Sequence, residues 1–231
     1  MKTALTILLL LFIGVYLSCQ SSGYSQSDDT TSVEFNYLAL GDSYTIGESV
    51  EEHERYPNRL AEALSDSYGS AFKSHIIAQT GWTTADLKNA IRQAKLGDRK
   101  FDLVTLLIGV NNEFQQRSEE EYAVEFKELL VQAIDFADDR VERVVVISIP
   151  DYGYTPFGVG RQSAISARID RFNAINKQIA KEMKVNYVSI TEISRQGLEN
   201  PDFVATDGLH PSGTMYKKWV DLLVAELKGS F

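Results

Sequence analysis

The sequence predicts an α/β three-layer sandwich, a five-stranded parallel sheet with helices on both faces. Three observations carry this. From Glu34 onward, short apolar runs alternate with amphipathic segments of helical period. Two of the runs, residues 103–108 and 144–149, are apolar on both faces, as strands are when helices cover both sides of a parallel sheet. Strand-helix alternation along a single chain is the pattern of that layered architecture.

The elements follow in order. Residues 35–40 read as the first strand. Residues 57–64 read as a helix opened by Pro57, whose fixed φ suits a first turn. Residues 74–79 form a second, weaker strand. Residues 84–94 form a helix with Thr83 or Thr84 as its N-cap. Residues 103–108 are the third strand. Tyr122, Phe126, Leu129, Leu130, Ala133 and Ile134 fall at helical spacing and place a helix over 119–137. Residues 144–149 are the fourth strand, ended by Pro150. Ile165, Ile169, Phe172, Ile175, Ile179 and Met183 mark a long helix. Residues 187–190 are the fifth strand, and 212–227 the closing helix. Such sheets bind ligands at the carboxyl ends of their strands. A motif is therefore informative where it directly follows a strand.

Composition narrows the function. Hydrophobic residues make up 44% and charged residues 24% of the chain, the balance of an ordinary globular domain. The stretch from residue 34 onward, roughly 200 residues, is long enough to bury one full core. The formal net charge is -9. Negative charge in excess repels phosphate backbones, so no nucleic-acid partner is expected. Cys19 is the single cysteine, which excludes an intramolecular disulfide and a Cys-based metal site. His53, His75 and His210 are scattered, so no metal is expected. Gly158-Val159-Gly160 follows a loop and lacks the third glycine of a dinucleotide fingerprint, so no cofactor is expected either.

The first residues read as an address. Lys2 precedes an apolar run over 4–17 that ends at Ser18-Cys19. A basic start, a short apolar core and a small residue describe a secretory signal, too short to span a membrane comfortably. A lone cysteine directly after it resembles the bacterial lipoprotein signal. Ser18 fits that signal, and Tyr16 stands where it usually has Leu. The resemblance implies cleavage after residue 18, a lipid on Cys19, and a membrane-anchored location in the cell envelope, outside the cytoplasm. An ordinary signal peptide or an uncleaved anchor is the alternative. Residues 20–32 are rich in Ser, Thr, Asp and Gly, too polar to pack. The expected organisation is a signal peptide over 1–18, lipidated Cys19 and linker over 19–33, and one domain over 34–231.

Four motifs lie where chemistry is expected. Gly41-Asp42-Ser43-Tyr44 follows the first strand, Thr80-Gly81-Trp82 the second and Gly109-Val110-Asn111-Asn112 the third. Asp207-Gly208-Leu209-His210-Pro211 precedes the last helix. Acyl transfer to a serine needs a nucleophile, a base and oxyanion donors. Ser43 at a strand end is the candidate nucleophile and His210 the candidate base. Asp207, three residues earlier, reaches the other ring nitrogen if the segment makes one turn, fixing tautomer and orientation. The N–H groups of Ser43 and Gly81 and the side-chain amide of Asn111 are the candidate oxyanion hole. Singly each motif has a plainer reading: a Gly-Asp-Ser turn, a turn glycine, an asparagine cap, a structural histidine. Together, in this order, they resemble the Ser, Gly, Asn and Asp-x-x-His blocks of one family.

Over residues 35–228 the sequence resembles the SGNH (GDSL) hydrolase family. Leu38-Ala39-Leu40-Gly41-Asp42-Ser43 and Asp207-Gly208-Leu209-His210-Pro211 are the most specific matches. The resemblance implies a flavodoxin-like sheet and hydrolysis of acyl esters through an acyl-serine, without metal or cofactor. One departure is Asn112, where the family's third block usually has Asp; an amide must then supply what the carboxylate does in relatives. The same triad also serves thioesterases, lysophospholipases and glycan deacetylases. A non-catalytic surface binding module is a further reading, against which Ser43, Asp207 and His210 all being present argues. Tyr152, Tyr154 and Phe157 follow the fourth strand and either line an acyl or leaving-group pocket or pack a surface loop. Acyl length, natural substrate and oligomeric state are not encoded in any motif.

Overall fold

The computed structural model describes residues 33–231. The signal-peptide and Cys19 expectations lie outside the described residues. Strand β1 (Glu34–Gly41) leads into a one-turn helix α1 (Ser43–Ile46), then helix α2 (Tyr56–Tyr68) and strand β2 (Ala71–Ala78). Helix α3 (Thr84–Ala94), strand β3 (Leu103–Leu107), short helix α4 (Val110–Phe114) and helix α5 (Glu119–Phe136) follow. The rest is β4 (Val144–Ile147), α6 (Gln162–Glu182), β5 (Asn186–Val188), short α7 (Thr191–Ser194) and α8 (Gly213–Glu226).

The five strands pair in the order β2-β1-β3-β4-β5, all parallel. The chain steps from β1 to β2 in one direction, then crosses back and adds β3, β4 and β5 in the other. Right-handed crossovers put the connecting helices of the two directions on opposite faces. Accordingly α2 packs with α8, while α5 packs with both α3 and α6. Every residue of β3 and β4 is buried, which is why those strands read as apolar runs, broken only by Thr105, whose hydroxyl is hydrogen-bonded with that of Tyr37. Trp219, Tyr56 and Tyr216 fill the α2–α8 layer, with Trp219 and Tyr216 edge to face at 5.0 Å. Burying such rings removes apolar surface from water at about 25 cal/mol per Å².

The sequence expectations differ from the structure at the margins. Strand β2 begins at Ala71, ahead of the expected residue 74, and β5 ends at Val188, short of residue 190. Both are edge strands, and most of their residues are only half-buried, so the apolar pattern that marks a central strand is weak there. Helix α2 runs past Leu64 to Tyr68 through Ser65, Asp66 and Ser67, and stops at Gly69 with φ 65°. Helix α3 is capped by Thr83, whose hydroxyl accepts from the Asp86 N–H while the Asp86 carboxylate accepts from the Thr83 N–H. Such a cap contributes about 1 kcal/mol. Helices α1, α4 and α7 are too short to show a 3.6-residue period.

The order reverses at β1, so the crevice at the carboxyl ends of β1 and β3 is the topological switch point. Gly41 pairs with Ala78 on one side and Leu107 on the other. The chain segments leaving these three strand ends therefore emerge side by side.

Candidate active site

Ser43 is placed by the close of β1. Gly41 ends the strand, and a Cβ there would lie 2.0 Å from Thr45 Oγ1 and 2.4 Å from the Leu107 carbonyl. Only glycine lets α1 fold this tightly over the strand end. Asp42 caps α1, its carboxylate accepting from the Tyr44 N–H at 3.1 Å. Asp42 is fully buried, and burial pushes its pKa up to about 7 against the backbone N–H groups that lower it. Its role is to turn the chain. Ser43 is the first residue of α1 and is 4% exposed.

The second and third strand ends supply neighbours. Gly81 has φ +86°, the left-handed region, and a Cβ there would meet nothing within 4 Å. Backbone conformation, not space, calls for glycine. Asn111 in α4 donates from Nδ2 to the Trp82 carbonyl at 2.9 Å. An amide nitrogen carries two hydrogens. Trp82 engages one and fixes the amide, leaving the other free. Asn112, the departure from the usual Asp, is buried and ties α4 to the start of α3. Its Oδ1 accepts from the Thr84 N–H at 3.0 Å and its Nδ2 donates to Thr84 Oγ1 at 2.7 Å. Thr84 Oγ1 in turn donates to the Glu125 carboxylate. A carboxylate at 112 would accept from the Thr84 hydroxyl; with an amide donating to it, the hydroxyl proton goes to Glu125 from α5.

The fourth motif folds onto itself. Ala205 N–H donates to the His210 carbonyl at 2.8 Å, and Gly208 N–H to the Ala205 carbonyl at 3.0 Å. This turn brings Asp207 Oδ2 to 2.6 Å from His210 Nδ1. Asp207 Oδ1 accepts from the N–H groups of Leu209 (2.9 Å) and His210 (3.0 Å), and Ser49 Oγ donates to Oδ2 at 2.7 Å. Partial burial works to raise the Asp207 pKa. The His210 ring, the two N–H groups and the Ser49 hydroxyl outweigh it and hold the value at about 2. Asp207 is therefore a carboxylate across the neutral range. Tyr44 packs against the His210 ring at 5.4 Å between centroids, and Tyr216 OH ties down the Tyr44 carbonyl at 2.9 Å.

Ser43, Gly81, Asn111 and His210 line one cavity of about 150 Å³. Asp207 stands behind His210. His210 Nδ1 is taken by Asp207, which leaves Nε2 unengaged; Ser43 and His210 line the same cavity without a direct hydrogen bond. The rest of the lining is Tyr44, Thr80, Val110, Phe114, Tyr152, Phe157 and Leu209. Of the three aromatics after β4, Tyr152 and Phe157 reach the cavity and Tyr154 does not. Tyr152 is held by its hydroxyl, which donates to Glu113 at 2.8 Å, and Arg168 pairs with the other Glu113 oxygen at 3.0 Å. Phe114, Val110 and Leu209 carried no chemical signal in the sequence, because an apolar residue beside a motif looks like any other. Ser49 carried none because its partner lies 158 residues away in sequence. Among the described residues no group of three or more His, Cys, Asp or Glu side chains converges on a metal site.

Comparison with known proteins agrees with this fold. No curated protein sequence matches the chain significantly. Among solved structures, TesA superposes with a TM-score of 0.66 at 17% identity, covering 85% of this chain and 99% of its own. An acetylxylan esterase from Geobacillus stearothermophilus gives 0.65 at 19%, covering 84% and 94%. The psychrotrophic esterase EstA from a Pseudoalteromonas species, solved inhibited by monoethylphosphonate, gives 0.62 at 16%, covering 84% and 96%. At such identities these likenesses speak for the fold. Residues 39–218 match the GDSL-like lipase/acylhydrolase family. The match takes in most of the chain and all four motifs, so the chain belongs to that family and is a hydrolase of the esterase type.

Proposed function

We propose that this hydrolase cleaves carboxylic esters through an acyl-serine intermediate, with Ser43 as nucleophile, His210 as base and Asp207 as its orienter. The observation that carries the reading is the Asp207–His210 contact of 2.6 Å behind a cavity that Ser43 also lines. Ser43 Oγ attacks the acyl carbon as its proton passes to His210 Nε2. Asp207 accepts from Nδ1–H, fixes the tautomer and stabilises the imidazolium. The negative oxygen of the tetrahedral intermediate is held by the N–H groups of Ser43 and Gly81 and by the free amide hydrogen of Asn111. His210 returns the proton to the leaving alcohol. Water then attacks the acyl-serine with His210 again as base, releasing the acid and restoring Ser43.

The lining outside these groups favours an apolar acyl or alcohol moiety. Tyr44, Val110, Phe114, Tyr152, Phe157 and Leu209 present hydrocarbon, and the Tyr152 hydroxyl is engaged by Glu113. This speaks for simple apolar esters ahead of the acetylated glycan that the Geobacillus neighbour's name describes. The test is steady-state hydrolysis of p-nitrophenyl esters of graded chain length, run beside acetylated sugars. Turnover of the apolar esters is expected, with Asn111→Ala lowering kcat by roughly 10²–10³ at little change in KM. Turnover of acetylated sugars alone would make the enzyme a deacetylase. An effect of Asn111→Ala confined to KM would make Asn111 a binding residue instead.

The N-terminal residues support a location as well. Lys2, the apolar run over 4–17 and Ser18-Cys19 fit cleavage after residue 18, lipid on Cys19 and a tether over 19–33 that holds the enzyme at a membrane in the cell envelope. Mass spectrometry of the mature protein is expected to show an acylated Cys19 at its N-terminus, and Cys19→Ala to leave residues 1–18 attached or release the protein from membranes. A mature N-terminus without acyl groups would remove the anchor from this account.

A further inference from the structure

Asp207 accepts four hydrogen bonds, two on each oxygen. Three come from its own turn: Leu209 N–H, His210 N–H and His210 Nδ1. Among the described residues the one donor from elsewhere is Ser49, whose hydroxyl lies 2.7 Å from Oδ2, the oxygen that also faces the His210 ring. Ser49 is 158 positions away in sequence and sits in the loop that closes α1, the helix that Ser43 begins.

That loop is fastened to the nucleophile at its other end. The N–H groups of Gly47 and Glu48 both donate to the Ser43 carbonyl at 3.0 Å. The Glu48 carboxylate accepts from the hydroxyl of Thr80, beside Gly81. One short loop thus touches the serine segment, the oxyanion segment and the acid. Ser49 adopts φ +65°, a left-handed conformation that favours glycine.

We propose that Ser49 is a positioning residue, whose hydroxyl holds the Asp207 carboxylate in register with His210 and couples it to the Ser43 segment. The proposal rests on the triad reading given above. With the hydroxyl present, the carboxylate has a full set of donors and is not free to rotate about its side-chain bonds. Without it, Oδ2 keeps only the imidazole, and the imidazole loses a fixed partner. The phenols of Tyr44 from α1 and Tyr216 from α8 also feel the Asp207 charge. Burial raises both well above the ordinary tyrosine value, so both stay neutral. Glu48, the adjacent carboxylate, is engaged with Thr80. Hydrogen bonds and the imidazole therefore balance the Asp207 charge, and Ser49 supplies one of those bonds.

Ser49→Gly separates positioning from folding, because glycine relieves the left-handed backbone while removing the hydroxyl. The expected result is a thermal midpoint no lower than wild type, with kcat down about tenfold, the scale of a hydrogen bond that orients the partner of a reacting imidazole, and KM unchanged. The acid limb of kcat/KM moves to higher pH, because a carboxylate that has lost a donor favours the imidazolium more strongly. Combined with Asp207→Asn, Ser49→Gly should cost little more than Asp207→Asn alone, since both act through one group. Wild-type kcat and pH profile in Ser49→Gly, beside a large loss in Asp207→Asn, would overturn the role of Ser49 and leave the triad standing. So would a tenfold loss that recurs undiminished in the double variant. An Asp207→Asn enzyme with wild-type kcat would overturn the triad and the Ser49 proposal together.

Discussion

Replacing Ser43 by alanine is expected to lower kcat by roughly three to six orders of magnitude, the range seen when a nucleophile is removed from a triad whose oxyanion site remains. The fold should not register the change. Ser43 is the first helical residue of α1, the cap is Asp42, and alanine suits a helical position. The tight approach of α1 to the strand end depends on Gly41 and the Thr45 side chain, not on the Ser43 hydroxyl. The thermal midpoint of Ser43→Ala should therefore stay close to wild type while turnover falls. What activity is left comes from the oxyanion donors and binding alone. Turnover within tenfold of wild type would mean that another group attacks the ester.

Asp207→Asn carries the second largest expected effect, a fall in kcat of roughly 10³–10⁴. Two things change at once. The imidazolium loses a negative partner, and an asparagine amide facing Nδ1 as donor drives the ring proton to Nε2, where it blocks acceptance from Ser43. The loss should persist at high pH, where the wild type is on its plateau, because a wrong tautomer is not corrected by base. In acid the wild type should lose activity along one limb as the imidazole gains a proton. Asp207 does not contribute that limb, since its hydrogen bonds hold it ionised down to about pH 2. The sign for stability follows from the same depressed value. Asp207 contributes to folding above its unfolded value of 3.8, and that contribution is lost as pH falls through about 2. Full wild-type activity at pH 4 would contradict a histidine base. A plateau untouched by Asp207→Asn would show that another carboxylate orients His210.

The central sheet and the four motifs were legible in the sequence for a physical reason. β3 and β4 are buried on both faces and are apolar except at Thr105, whose hydroxyl is hydrogen-bonded with that of Tyr37, and each motif directly follows a strand, or in the last case precedes a helix. The Asp207–His210 spacing was legible because one turn brings residues three apart together. The edges were less so. β2 and β5 have half-buried residues, and their boundaries moved by two or three positions. The aromatic wall was half legible: Tyr152 and Phe157 reach the cavity, Tyr154 does not, and Phe114 arrives from α4, a helix too short to be read. Asn112 looked like a loss in the sequence. The structure gives it a purpose, since its amide donates to Thr84 and passes the accepting role to Glu125. Ser49 could not have been read at all, because only the closure of the α1 loop onto a turn 158 residues away gives its hydroxyl a partner.

The claim that Ser43 is an activated nucleophile has one direct measurement. The protein is treated with a fluorophosphonate, digested, and the adduct located by mass spectrometry. The account predicts a single stoichiometric adduct on the peptide that carries Gly41-Asp42-Ser43-Tyr44, loss of ester hydrolysis in parallel with labelling, no adduct in Ser43→Ala and slow labelling in Asp207→Asn. Full ester hydrolysis in a preparation left unlabelled, or an adduct on a residue other than Ser43, would contradict it.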